Sequence, residues 1–254
     1  MQYKFDGKRV LITGSSRGIG RAAAILFAEA GAVVVVHYHQ QAQAAKDTLK
    51  ALHGKGHFVL KADMAKPLQV RNMVQKAAKL MGGLDILVNN AGVFLPHPVD
   101  GMSFEEWLPI WQQTLNTNLT GAAVASFTAA EIMRQQGGGK IINVGSRGAF
   151  RGEANQVAYG ASKAGLHALG QSLAQALGAY GITVHSVAPG FVETAMARPH
   201  LQGAAGDAVR QQSPLNRVAT VEDVAHGILF LASPEALHTT GCILDINGAS
   251  YLRT

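Results

Sequence analysis

The sequence predicts one doubly wound α/β domain in which helices cover both faces of a central seven-stranded parallel sheet. Three observations favour this fold class. Short aliphatic runs alternate with stretches of helical character along the chain. Most of these runs are apolar at consecutive positions, as expected for strands that are covered on both faces. The 254 residues are enough for a single large domain, residues 1–254, with a substantial core.

The predicted elements follow in order along the chain. The strands cover residues 10–13, 33–37, 58–62, 86–89, 141–144, 183–187 and 242–246. The first helix, over residues 21–30, is expected to end at Gly31, and Thr220 with Asp223 resembles a capping box that opens a helix over residues 221–232. The glycines at 137–139 indicate a tight turn. Residues 93–109 and 191–216 have no regular pattern and are predicted to be irregular.

Composition excludes several classes of protein. Charged residues make up 15% of the chain and glycine 29 of its residues, which excludes a disordered chain and a coiled coil. The aliphatic stretches are far shorter than the ~18 residues of a membrane span. Because the N-terminal residues also lack a signal-peptide apolar region, we expect a cytoplasmic protein that does not enter the membrane. The single cysteine, Cys242, excludes an internal disulfide.

The formal net charge of +6 favours anionic ligands without selecting among a nucleotide, an acyl carrier and a nucleic acid. The sequence has no helix-turn-helix, zinc-finger or aromatic RNA-binding signature, so no nucleic-acid partner is predicted. The ten histidines are scattered without the spacing of a metal site. We therefore predict no metal.

A glycine-rich segment, residues 13–20, follows the first predicted strand and opens the first helix with the spacing G-x-x-x-G-x-G. Gly14 permits a tight turn, Gly18 lets the backbone approach a pyrophosphate, and Gly20 allows the helix to pack closely on the strand. The phosphates would then lie at the N-terminus of the helix. The segment predicts a dinucleotide site, with an ordinary strand-to-helix turn as the alternative.

Four segments together resemble the short-chain dehydrogenase/reductase family, and the similarity runs from about residue 5 to residue 250. They are residues 13–20, 89–92, 159–163 and 189–190. The resemblance implies a Rossmann fold and hydride transfer between a nicotinamide and a carbonyl or secondary alcohol. Residues 141–146 and 189–194 are most similar to the 3-oxoacyl-acyl-carrier-protein reductase subgroup, whose relatives act on many ketones, sugars and polyols. Tyr180 and the glycines at 137–139 replace residues that are often basic there, which favours a free small molecule as substrate.

Tyr159 and Lys163 are four residues apart, so they share one face of a helix expected to begin near Ala154, where the ammonium can favour the phenolate. The resemblance implies that Tyr159 is the general acid in carbonyl reduction and the general base in alcohol oxidation. It also implies that Lys163 holds the nicotinamide ribose and that Ser146 orients the substrate carbonyl. A turn cap is the alternative role for Ser146.

The resemblance further implies that Asn118 holds a water in a proton relay behind the lysine. Asn116 is a neighbouring candidate for this position. A buried structural hydrogen bond is the alternative role for Asn118, because asparagine is unfavourable inside a helix unless its side chain finds a partner.

The choice of cofactor depends on the end of the second strand. Tyr38 stands where family members that prefer NAD usually carry an aspartate, and no acidic residue lies beside it in the sequence. Arg17 can pair with a 2′-phosphate, and His39 can add a hydrogen bond. NADP(H) is therefore favoured, with NAD(H) as the alternative. The predicted cofactor contacts are Gly14, Ser16, Arg17, Gly18, Ile19, Gly20, Tyr38, His39, Asp63, Met64, Asn90, Ala91, Gly92, Tyr159, Lys163, Pro189, Gly190, Val192 and Thr194.

Several assignments keep alternatives. Asp63 and Thr194 could cap helices instead of contacting cofactor. The substrate, a small-molecule carbonyl compound or alcohol, is expected among residues 93–111, 147–157 and 191–216. Arg147 and Arg151 could attract an anionic substrate or simply be solvated. An NAD-dependent sugar or polyol dehydrogenase, or a dinucleotide-binding protein without catalysis, are alternative functions, and the resemblance implies a homotetramer or homodimer.

Overall fold

The computed structural model describes residues 3–198 and 201–253. In that part of the chain the strands are β1 (Arg9–Ile12), β2 (Val33–Tyr38), β3 (Phe58–Lys61), β4 (Ile86–Asn89), β5 (Gly139–Val144), β6 (Ile182–Pro189) and β7 (Ile243–Ile246). They form one parallel sheet in the order β3-β2-β1-β4-β5-β6-β7. All seven predicted strands and the fold class are confirmed, with strand ends displaced by at most two residues.

The described α-helices are α1 (Gly18–Glu29), α2 (Ala42–Ala51), α3 (Pro67–Met81), α4 (Phe104–Leu115), α5 (Gly121–Gln136), α6 (Gly148–Arg151), α7 (Val157–Leu177), α8 (Gly203–Gln211) and α9 (Val221–Ala232). A π-helical turn, Asn116–Thr120, joins α4 to α5. Among the described helices, none has both the length and the apolar character that crossing a membrane requires.

The predicted helix ends agree with the backbone. Ala30 ends α1 and Gly31 follows with a positive φ of 93°, a conformation that favours glycine. The capping box of α9 is confirmed, because the Thr220 hydroxyl accepts the Asp223 N–H at 3.1 Å. Gly137, with φ of 83°, ends α5 and opens the turn into β5.

Three local predictions were wrong. Residues 93–109 are not irregular throughout, because α4 begins at Phe104 with a capping box between Ser103 and Glu106. Residues 191–216 contain α8, although residues 199 and 200 of that segment lie outside the described residues. The helix that carries Tyr159 begins at Val157 and not near Ala154, since a turn over residues 153–156 precedes it.

The core has two layers, one on each face of the sheet. Ile12 packs with Phe27 of α1 and Ile228 of α9 on one face. Leu11, the preceding residue of the same strand, packs on the opposite face with Met133 of α5. All five side chains here are fully buried. This alternation explains why the strands are apolar at consecutive positions.

The strand order opens a crevice at the carboxyl edge of the sheet. The chain runs from β1 outward through β2 to β3 and then returns to the other side of β1 at β4. At such a reversal the connections leave in opposite directions, and ligands of doubly wound proteins bind in the gap between them. The residues that follow β1, β4, β5 and β6 line this crevice.

Candidate active site

The glycine segment turns sharply from β1 into α1 against the segment that follows β4. Gly14 has φ of 64°, and a Cβ there would lie 2.8 Å from the Cα of Ala91. Asn90 fixes this approach, because its Nδ2 donates to the carbonyl oxygens of Thr13 and Gly14 at 2.8 and 3.0 Å. Gly20 does not line the cleft. A Cβ on it would lie 2.7 Å from the Gly14 carbonyl oxygen, so its role is close packing.

The N-terminus of α1 is left open toward the cleft. No side chain caps it and no acidic residue occupies its first turn, so its free N–H groups and positive dipole end are available to an anion. Gly18 opens the helix with φ of 57°, and Ser16, Arg17 and Ile19 line the cleft beside it. This arrangement can hold the phosphates of a dinucleotide.

His37 supports the same loop from β2, a role that the sequence motifs do not indicate. Its Nδ1 accepts the Gly14 N–H at 2.9 Å, and its Nε2 lies 3.1 Å from the carbonyl oxygen of Ala62. Burial lowers the pKa of His37 to about 4, so the ring is neutral at pH 7 and its Nδ1 can accept. A polar residue inside an otherwise apolar strand was the available sequence signal.

The predicted contacts at the ends of β2 and β3 face one end of the cleft. Tyr38, His39, Asp63 and Met64 all line it. Asp63 does not cap α3. Its Oδ1 accepts the Ala65 N–H at 2.9 Å within a turn, and its carboxylate lies 3.9 Å from Nε2 of His39.

Ser146, Tyr159 and Lys163 converge at the other end of the cleft. The Ser146 hydroxyl accepts the Gly148 N–H at 3.0 Å and hydrogen-bonds the Tyr159 hydroxyl. Lys163 Nζ lies 5.7 Å from the centroid of the Tyr159 ring and donates to the Val144 carbonyl oxygen at 2.7 Å. The tyrosine and lysine occupy one face of α7, as predicted, and Ser146 is the second residue after β5.

Burial shifts the pKa values of these two titratable side chains in opposite directions. Loss of solvation raises the pKa of Tyr159 to about 12, although the hydrogen bond from Ser146 opposes the rise. It lowers the pKa of Lys163 to about 8, because the lysine is only 4% exposed. The ring of Phe94 packs edge-on against that of Tyr159, with centroids 4.7 Å apart, and limits solvent there.

Asn118 lies behind the cleft in the π-helical turn and does not line it. Its Oδ1 accepts the Val93 N–H at 2.8 Å, and its Nδ2 donates to the Val93 carbonyl and the Ser162 hydroxyl at 3.0 and 3.1 Å. A Cβ on Gly92 would lie 3.3 Å from the Asn118 Oδ1 and 3.5 Å from Nζ of Lys163, so the amide and the ammonium flank the same glycine. Asn116, the neighbouring candidate, does line the cleft.

The remaining predicted contacts form the wall after β6. Pro189, Gly190, Val192 and Thr194 line the cleft together with Asn90, Ala91 and Gly92 after β4. Thr194 also caps a turn, because its hydroxyl accepts the Ala197 N–H at 3.2 Å. Of the predicted cofactor contacts, the structure therefore gathers all but Gly20 around one cleft.

Known proteins are similar to this chain in sequence. A family model described as enoyl-(acyl carrier protein) reductase matches residues 14–249. The chain is 38% identical over 250 residues to the 3-oxoacyl-[acyl-carrier-protein] reductase of Escherichia coli, covering 98% of this chain and 99% of that protein. It is also 38% identical over 257 residues to an L-rhamnose 1-dehydrogenase (NAD(P)(+)) of Sphingomonas, covering 97% of each. The chain belongs to the short-chain dehydrogenase/reductase family.

A solved structure is similar to this chain in fold as well as in sequence. A short-chain dehydrogenase of Burkholderia cenocepacia in complex with NADP is 36% identical, with a TM-score of 0.86 over 97% of this chain and 99% of that one. The present chain is accordingly an NAD(P)-dependent oxidoreductase of the short-chain dehydrogenase/reductase family.

The cleft of this family member fits a nicotinamide dinucleotide. Its volume is about 680 Å³, within the ~300–1,000 Å³ of typical ligand sites. The open end of α1 can receive phosphates, and the Gly14 turn lets the backbone approach them. In the described ranges no three His, Cys, Asp or Glu side chains form a group that could hold a metal ion. The absence of a metal stays a prediction.

Two buried polar side chains, Arg147 in the cleft wall and His97 outside it, are held by protein partners. Arg147 is not solvated, because it is 3% exposed, donates to Ser250 and donates to Oε1 of Gln212 at 2.6 Å. The Arg147 guanidinium is therefore held by hydrogen bonds within the protein. His97 is fully buried, and its Nε2 accepts the Ala158 N–H at 2.8 Å. This bond ties the segment after β4 to the first turn of the helix that carries Tyr159.

Proposed function

We propose that the chain is an NADPH-dependent reductase of small ketones in which Ser146, Tyr159, Lys163 and Asn118 carry the chemistry. The observation that carries the proposal is the convergence of Ser146, Tyr159 and Lys163 at one end of a cleft. The other end of that cleft suits a dinucleotide. A bound nicotinamide supplies hydride, which none of these side chains can provide.

Ser146 and Tyr159 hold the carbonyl oxygen. Both side chains line the same end of the cleft, where a carbonyl oxygen can accept a hydrogen bond from each hydroxyl. Two donors there stabilise the negative charge that develops as the carbonyl is reduced. Tyr159 supplies the proton to that oxygen and, in the reverse direction, removes it.

Lys163 makes proton release by Tyr159 easier. Burial holds the phenol protonated, since it raises the pKa of Tyr159 to about 12. The Lys163 ammonium, 5.7 Å from the ring centroid, favours the phenolate. Lys163 lines the cleft and is proposed to hold the nicotinamide ribose as well. Asn118, which flanks Gly92 together with Lys163, is proposed to support a water that restores the proton through the lysine.

The cofactor preference is proposed to be NADP(H) over NAD(H). Tyr38 lines the cleft at the position where an acidic residue would bind the 2′-hydroxyl of NAD. Arg17 is exposed at the start of α1 and lines the same region, where its guanidinium can pair with a 2′-phosphate. The Burkholderia relative in complex with NADP supports this preference.

The substrate is proposed to be a free ketone. The comparison with the acyl-carrier-protein reductase favours a 3-oxoacyl group, and the comparison with the rhamnose dehydrogenase favours oxidation of a sugar or polyol as the second candidate. The substrate is proposed to lie against residues 93–111 and 191–216 of one domain, of which Val93, Phe94 and Phe191 line the cleft. We further propose a cytoplasmic homodimer or homotetramer built through α7 and β7, which sedimentation velocity would test.

Titration of the purified protein with NADPH and NADH tests the cofactor, and Tyr159→Phe tests the chemistry. We expect tight binding of NADPH and weak binding of NADH, with Arg17→Ala weakening NADPH binding about tenfold or more. Tyr159→Phe should reduce turnover by a factor of 10² or more, on the order of a lost general acid, while NADPH still binds. Tyr180→Phe, at an exposed tyrosine outside the cleft, is the matched control. Full turnover in Tyr159→Phe, or binding of neither cofactor, would contradict the proposal.

A further inference from the structure

Glu153 brings a carboxylate to the reacting end of the cleft. It lies in the turn before α7, is half-buried, and lines the same cleft as Ser146 and Tyr159. Its backbone carbonyl accepts the Gln156 N–H at 3.0 Å, which closes the turn that leads into the helix. The carboxylate is therefore held by the same short segment that positions Tyr159.

Gly148 connects this carboxylate to the Ser146 hydroxyl. A Cβ on Gly148 would lie 2.7 Å from Oε1 of Glu153, so the carboxylate lies directly against Gly148. The Gly148 N–H donates to the Ser146 hydroxyl at 3.0 Å. One residue thus contacts both groups, and the Glu153 charge also raises the pKa of Tyr159.

The carboxylate has unused capacity to accept hydrogen bonds. Within residues 3–198 and 201–253, no side-chain hydrogen bond or ion pair involves it. The charge of Glu153 acts on the pKa of Arg147 in the raising direction, but the Arg147 guanidinium is hydrogen-bonded to Ser250 and Gln212 and not to Glu153. In the cleft, water or a bound molecule can supply the donor.

We propose that Glu153 is a specificity-determining residue that selects neutral substrates with a hydroxyl group beside the reacting carbonyl and rejects substrates with a carboxylate there. This inference rests on the proposed ketone reduction at Ser146 and Tyr159. A hydroxyl that donates to a carboxylate forms a charge-assisted hydrogen bond, about twice as strong as a neutral one. A substrate carboxylate would meet the like charge of Glu153. A neutral hydroxyl can donate to the Glu153 carboxylate without that repulsion.

Three ketones that differ in one group test the selection. Hydroxyacetone, acetone and pyruvate carry a hydroxymethyl, a methyl and a carboxylate group beside the same carbonyl. Their dissociation constants are measured by calorimetry on the full chain loaded with NADP⁺, because an oxidised cofactor cannot reduce a ketone and binding is then read without turnover. The variant is Glu153→Gln. Glu131→Gln, at an exposed carboxylate on α5 outside the cleft, is the matched control.

We expect the wild type and Glu131→Gln to bind hydroxyacetone about tenfold more tightly than acetone, the difference one charge-assisted hydrogen bond makes. Pyruvate should bind more weakly than acetone. In Glu153→Gln the preference for hydroxyacetone should fall to about twofold and pyruvate binding should improve. Equal binding of hydroxyacetone and acetone by the wild type, or the same preference in Glu153→Gln, would overturn the inference.

Failure of the proposed function itself has a different signature. If the chain does not bind NADP⁺, or if Tyr159→Phe reduces acetone as fast as the wild type, the ketone reductase proposal fails and this inference fails with it. If NADP⁺ binds and turnover depends on Tyr159 while the three ketones bind alike, only the role of Glu153 is refuted. Equal melting temperatures of both glutamine variants show that a changed preference is not caused by misfolding.

Discussion

Replacing Lys163 with Met should stabilise the unliganded protein at neutral pH even though it removes a group needed for the proposed reaction. The lysine is 4% exposed, and burial lowers its pKa from 10.5 to about 8. At ~1.4 kcal/mol for each pKa unit, keeping this lysine protonated in the folded protein costs roughly 3 kcal/mol at pH 7. Its hydrogen bond to the Val144 carbonyl offsets about 1 kcal/mol of that cost. The expected net gain for Lys163→Met is therefore about 2 kcal/mol.

The sign of the pH dependence follows from the same two pKa values. Between about pH 8 and 10.5 the unfolded lysine holds a proton that the buried lysine has lost. Unfolding then takes up protons, so the stability of the wild type rises with pH across this window. At pH 9.5 the remaining cost is only about 1.5 kcal/mol, nearly balanced by the hydrogen bond. The advantage of Lys163→Met should therefore fall from about 2 kcal/mol at pH 7 to near zero at pH 9.5.

Urea unfolding of the unliganded proteins at a series of pH values from 7 to 9.5 measures this difference. Lys76→Met, at an exposed lysine on α3, is the control and should show no pH-dependent change relative to the wild type. Measuring only the difference between variant and wild type removes the contribution of the other titrating groups. If Lys163→Met is no more stable than the wild type at pH 7, or if its advantage is the same at every pH, burial of this ammonium does not destabilise the folded protein.

The remaining predictions concern the two ends of the cleft. Gly14→Ala should weaken NADPH binding at least about tenfold, since the new Cβ would meet Ala91 at 2.8 Å and the positive φ disfavours alanine; a fluorescence titration measures it, and unchanged affinity would show that the turn is not needed. His37→Leu removes the acceptor for the Gly14 N–H and should weaken NADPH binding by about tenfold in the same titration. His97→Leu breaks the bond to the Ala158 N–H and should lower kcat/KM for ketones about tenfold without changing the NADPH dissociation constant. Loss of NADPH binding instead would show that His97 stabilises the fold as a whole and not the reacting end of the cleft.

Much of the fold could be predicted because its signals are local. A strand that is covered on both faces is apolar at consecutive positions, and most of the seven strands carry this pattern. The capping box at Thr220 and the glycine after α1 depend on neighbours within four residues. The capping box at Ser103 has the same pattern. The start of α4 was therefore signalled locally, but the irregular composition around it hid the signal.

The ligand-binding cleft illustrates the limit of such signals. The spacing of Tyr159 and Lys163 placed them on one helix face, and the family motifs indicated Ser146 and the glycine turn. Nothing local shows that His37 supports Gly14, because His37 lies on β2 and Gly14 follows β1, and the two meet only when those strands pair.

The sequence by itself determined the sheet, the family and the residue types at the reacting end of the cleft, since these are written in periodicity and in short motifs. Only the tertiary structure decided the state of each side chain. It buried Arg147 against Ser250 and Gln212 and left Glu153, six residues later in the chain, lining the cleft. The physical reason is that solvation, pKa and hydrogen bonding depend on segments far apart in the chain, and folding alone brings those segments together.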